Sequence, residues 1–186
     1  MTRLTALFTC SCAELKRVRT VTVCGMMGAI AIVLGSLSIY VTDSIRIGFS
    51  GIPNQLIDCM FGPVVGSLFA GALDILKYLI KPVGTFFPGF TLVAMLAGLI
   101  YGSFFYRKPV SFLRVLAAHF VVALVCNVIL NTLCLSVLGG KGFLLLLPAR
   151  AVKNLIMWPI DSIIFYNIAK LLEASGVFRA MGSQKS

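Results

Sequence analysis

Apolar residues gather into six blocks, at residues 20–41, 49–61, 64–80, 90–106, 111–138 and 147–172, separated by short breaks carrying charge, proline or glycine. A helix needs about 20 residues to cross a bilayer core, at roughly 1.5 Å each. The blocks predict six helices, and the second, at 13 residues, is too short to span. It either ends inside the membrane or follows a segment that dips below the surface, which is permitted only where protein or water satisfies the backbone. The stretch RIGFSGIPNQ, residues 46–55, is thereby placed beside a cavity, with Gly48 and Gly51 expected to bend the chain before Pro53 starts the helix.

Composition fixes the solvent. With 59% hydrophobic and 12% charged residues and a mean hydropathy of +1.01, the chain lies outside the range of soluble domains. The expected fold is an all-α integral membrane protein of the cell membrane, six transmembrane helices in one compact bundle over residues 20–174. Tails at 1–19 and 175–186 are expected in the cytoplasm. The short apolar patch near Met1 precedes its basic cluster, so no cleaved signal peptide is expected. Six cysteines without a CxxC, four of them in apolar blocks, read as buried thiols; neither a metal site nor a disulfide framework is expected.

The net charge of +10 reports topology before it reports partners. With both termini inside, ten of the sixteen basic residues are cytoplasmic, and Arg46, Lys77, Lys81, Lys141, Arg150 and Lys153 fall outside. Each alone reads as a snorkelling side chain at a helix end. Together they make an outward basic mouth suited to an anionic ligand.

Small residues recur every four positions at Gly25 and Ala29, at Gly62, Gly66 and Ala70, and at Ala94, Gly98 and Gly102. Such ridges let helix backbones approach in a membrane, where no hydrophobic force substitutes for close packing. The Gly25/Ala29 ridge could pack the bundle or face a different protein. Polar residues at depth point to function, because each is costly unless paired or hydrated. Asn127, Asn131 and Thr132 lie in the outer half of the fifth block, and Arg150, Lys153 and Asn154 open the sixth from the same side. Arg46 and Asn54 share that depth, with Phe49, Phe86, Phe87, Phe90 and Trp158 available as aromatic walls. Asp58 and Asp161 receive no role.

Gly48-Phe49-Ser50-Gly51 and His119 are also ingredients of a rhomboid-like intramembrane serine protease. A serine nucleophile needs its base within hydrogen-bond reach. His119 lies about 12 Å in from the cytoplasmic side and Ser50 near the outer face, a depth gap of roughly 10 Å or more. No other base is expected beside Ser50, so no catalytic residues are assigned.

Five motifs in order carry a family resemblance: IRIGFSGIP at 45–53, MFGPVVGSLFAGALDIL at 60–76, FFPGFTLVAMLAGLIYG at 86–102, LNTLCLSVLGGKGFLLLLPAR at 130–150 and KNLIMWPI at 153–160. The chain resembles the substrate-binding S component of energy-coupling factor (ECF) vitamin transporters, and within that group the folate-specific branch. The resemblance spans roughly residues 21–172. It implies a six-helix protein that is no enzyme, has no cofactor, binds a vitamin from outside and works with a coupling subunit and two ATPase subunits that use the ATP. It further implies delivery by toppling of the whole component, and docking of the coupling subunit on Gly25 and Ala29, which match a small-residue motif on the first helix. The ligand-binding residues it implies are Arg46, Phe49, Asn54, Phe90, Asn127, Asn131, Thr132, Arg150, Lys153 and Trp158. Arg150 and Lys153 would take the carboxylates of a folate tail and Asn127 and Asn131 the pterin edge. The chain departs from the family pattern at Ala97, at Lys77 and Lys81, and at Asp58.

Overall fold

A computed structural model describes residues 11–12, 14–15, 17–36, 39–42, 45–47, 50–80, 86–106, 108, 110–139 and 143–176. The expected six rods are present. α1 (Val18–Ser36) leads into a hairpin of β1 (Ile39–Thr42) and β2 (Ile45–Ile47), followed by α2 (Gly51–Phe61), α3 (Pro63–Ile80) and α4 (Pro88–Phe105). The fifth rod is α5 (Phe112–Val122), a π-helical segment (Ala123–Leu130) and α6 (Asn131–Gly139); the sixth is α7 (Phe143–Ala174).

Two boundaries differ from the sequence reading. The first helix stops at Ser36, and residues 39–42, Ile-Tyr-Val-Thr, pair antiparallel with β2, Tyr40 opposite Arg46. β-branched and aromatic side chains suit a pleated strand better than a helix. The short second helix starts at Gly51, and Pro53 sits in its first turn, where a missing amide costs nothing. Gly51 is helical and outside the positive-φ glycines, so the expected bend does not use it. Gly48 lies outside the described residues.

Five helical stretches are long and apolar enough to cross a membrane, and α2 is not among them. Its 11 residues cover about 16 Å. Instead of facing lipid, α2 buries Pro53, Leu56, Ile57, Asp58, Cys59, Met60 and Phe61 against the bundle. The surrounding rods turn large apolar residues outward, among them Val18, Leu79, Leu92, Leu113 and Leu171. In water that surface would be untenable, and in a bilayer it is the solvated face.

The tightest pairing is α3 on α4, along the two small-residue ridges. A Cβ on Gly98 would lie 2.9 Å from the Gly66 carbonyl oxygen, and one on Gly102 would strike the Pro63 backbone. Depth follows from the same contacts. A Cβ on Gly66 would also lie 3.2 Å from the Asp58 Cα, so Asp58, Gly66 and Gly98 share a level. That level is about 15 Å into α4 but only about 10 Å into α2. α2 therefore begins about one turn deeper than α4, and the chain entering it dips into the bundle. At the other end Gly62 (φ 90°) and Pro63 reverse the chain within two residues.

Candidate ligand-binding site

Alternating helix directions bring five elements to one end of the bundle: the start of α2, the end of α3, the start of α4, α6 and the start of α7, with the hairpin beside them. The polar residues read from the sequence lie on these elements. Asn131 donates from Nδ2 to Asn127 Oδ1 at 3.4 Å, one turn apart at the junction of the π segment and α6. Thr132 is fully buried and its Oγ1 has no hydrogen-bond partner among the described residues. Asn54 Oδ1 on α2 is likewise buried and unpartnered. An unpaired buried acceptor costs on the order of 1–3 kcal/mol, so these atoms suit a donor brought by a ligand.

Arg150 and Lys153, both half-buried, lie about two and three turns into α7, and Asn154 Nδ2 donates to the Arg150 carbonyl at 2.9 Å. Arg150, Asn154, Met157 and Asp161 recur at i, i+4, i+7 and i+11, a single stripe down the helix, and all four are half-buried. Phe90, half-buried on α4, meets Phe87 edge to face with ring centroids 5.9 Å apart. Of Arg46 only the backbone, in β2, is described, and Phe49 lies outside the described residues.

Trp158 takes a different place. Its Nε1 donates to the Leu116 carbonyl at 2.9 Å and its ring lies against Phe120, centroids 5.1 Å apart. Both rings line an apolar groove of about 250 Å³ between the π segment and α7. Trp158 thus stands in the α5–α7 seam with its indole N–H already committed.

The sequence reading missed Gln55 and Thr91 and did not foresee the partner of Lys77. Gln55 follows Asn54, and its Oε1 is also buried and unpartnered. Its amide faces the Tyr101 hydroxyl. Thr91 donates to Asp74 Oδ2 at 2.8 Å, tying α4 to the upper part of α3. Lys77 Nζ donates to Ser50 Oγ at 3.2 Å, a cation beside the serine that the sequence reading did not pair with it. The bond does not make a nucleophile, because an ammonium donor stabilises the hydroxyl oxygen without taking its proton. His119 is occupied elsewhere: its Nδ1 lies 3.0 Å from the Val115 carbonyl and its ring packs between Tyr101 and Phe165.

α1 presents Gly25 and Ala29 outward. Both are exposed, and a Cβ on Gly25 would meet nothing within 4 Å. Among the α1 residues that pack inward are Gly28, against Phe69, and the fully buried Ala31.

A multi-pass helical membrane protein with a polar, basic cradle at one end is the class this arrangement defines. The family model for the substrate-specific component of ECF transporters matches residues 19–169, and the chain belongs to that family. It is therefore a transporter component of the cell membrane and not an enzyme. The folate transporter FolT of Clostridium novyi (strain NT) is 42% identical over 132 residues, 71% of this chain and 77% of the relative. FolT of Leuconostoc mesenteroides subsp. mesenteroides is 34% identical over 147 residues, covering 76% and 79%. Among solved structures, a crystal structure of FolT bound with folic acid superimposes with a TM-score of 0.74 at 33% identity, covering 82% of this chain and 93% of that one.

Proposed function

We propose that this S component captures folate from outside the cell in the cradle between the hairpin, α2, α4, α6 and α7. The observation that carries the reading is the likeness, over 82% of the chain, to a structure of FolT bound with folic acid. The chemistry of the cradle supports it. A pterin offers a flat face for Phe90 and a hydrogen-bonding edge for Asn54, Asn127, Asn131 and Thr132. The glutamate tail brings carboxylates for Arg150 and Lys153, and Arg46 and Phe49 complete the proposed ligand set. No cofactor takes part in binding.

In this reading both termini are cytoplasmic and Gly25 and Ala29 dock the component onto a membrane coupling subunit that carries two ATPase subunits. ATP spent there topples the whole S component and releases the vitamin inward. The exposed, uncluttered Gly25 surface supports a partner on α1. The deciding experiment is equilibrium binding of labelled folate to the purified protein. Tight, saturable binding is expected; a folded protein without it removes the folate assignment and leaves the family membership intact.

A further inference from the structure

α2 ends and α3 begins within two residues, and this turn cannot close itself. The Phe61 carbonyl and the Val64 and Val65 amides fall among the groups that helix ends leave without intrahelical partners. Gly62 has no side chain to offer them. The missing group comes from fifty residues away. Ser11 Oγ donates to the Phe61 carbonyl at 2.8 Å and accepts from the Val64 and Val65 amides at 3.1 and 3.2 Å. One fully buried hydroxyl thus closes the end of one helix and caps the start of the next. Gly62 keeps its seat open, since a Cβ there would lie 3.0 Å from both Ser11 Oγ and the Tyr106 ring.

The segment that carries Ser11 is continuous with α1. The Arg17 amide donates to the Glu14 carbonyl at 3.1 Å, and the Thr20 and Val21 amides donate to the Arg17 carbonyl at 3.0 and 3.3 Å. Leu15 packs on the core and Thr20 is buried. From Glu14 onward the chain is thus hydrogen-bonded into α1, and residues 11–12 and 14–15 are the strap that precedes it. α1 itself exposes Val18, Val21, Gly25, Met26 and Ala29. Its near end meets the bundle through Thr20, Val23 and Cys24, with the strap immediately before them.

We propose that Ser11 is a positioning residue for coupling. By mooring the strap to the α2–α3 turn, it fixes the pose in which α1 presents its exposed Gly25/Ala29 face to the coupling subunit. This rests on the docking reading above, and the test separates the two. In full-length Ser11→Ala, hydrogen exchange of the Val64 and Val65 amides is expected to accelerate about tenfold, the loss of roughly one hydrogen bond. Folate binding is expected to stay at the parent level, while co-isolation with the coupling subunit and its ATPases falls several-fold. Ser11→Thr, which keeps the hydroxyl, is expected to restore both exchange and co-isolation. Unchanged exchange in Ser11→Ala would overturn the mooring. Faster exchange with undiminished co-isolation would overturn its role in coupling, and a parallel fall in folate binding would reduce Ser11 to a folding residue. Normal co-isolation of Ala29→Trp would remove the docking reading by itself, leaving the exchange measurement to decide the mooring.

Discussion

Asn54 holds a carbonyl oxygen inside the bundle with no donor beside it among the described residues. That arrangement is costly in the empty protein and useful in the loaded one, so the two states respond oppositely to its removal. Asn54→Leu is expected to weaken folate binding about 10- to 100-fold, as loss of one or two buried hydrogen bonds would. The melting temperature of the ligand-free protein in detergent should hold or rise. A fall in both would assign Asn54 to the fold. Ser50 makes the opposite case. It meets Lys77 but no group able to take its proton. Ser50→Ala should leave folate affinity within about threefold, since an exposed or half-exposed polar contact contributes ~0.5 kcal/mol; titration of the variant checks it.

Among the elements, the α3–α4 pair has the least room. At Gly102 a side chain would run into the Pro63 backbone, which has no flexible end to move aside. Gly102→Val is expected to destabilise the protein by about 2 kcal/mol or more. Gly25→Ala, with open space around it, should change stability by less than about 0.5 kcal/mol. Thermal melts of the two variants in one detergent test the contrast. These ridges were legible because small residues at four-residue spacing have one strong physical use in a membrane. The six helices were legible for a similar reason, since block length alone decides what can span. The hairpin was not: residues 20–41 carry no charge or proline to mark a break, and a short apolar run carries no period that separates strand from helix. Nor was the π segment, because an i+5 ladder needs no distinctive residues. At the site, Asn127, Asn131 and Arg150 stood out as polar islands in apolar sequence. Gln55 was overlooked beside Asn54, and for Trp158 the sequence showed the residue type but not its neighbours. Its commitment to Leu116, 42 positions away, is a tertiary fact.

For the molecule as a whole, the proposed function assigns vitamin capture and partner docking to different surfaces, one at the end bearing α6 and the outer part of α7, the other along α1. The two functions should therefore separate by mutation. Ala29→Trp, on the exposed face of α1, is expected to abolish uptake in cells while leaving folate binding by the purified protein intact; equal loss of both would make the ridge part of the bundle's own packing. Transfer of vitamin across the membrane then depends on how the bundle is seated in lipid as much as on its pocket. The brevity of α2 bears on how that seating is first achieved. Eleven residues that include Asn54, Gln55 and Asp58 cannot leave an aqueous channel for lipid by themselves, an aspartate alone opposing entry by about 2.5–3.5 kcal/mol. α2 must cross during biosynthesis as a passenger of α3, the two entering as a closed hairpin about Gly62. The second and third helices thus join the bilayer as a pair, not one by one as each leaves the ribosome.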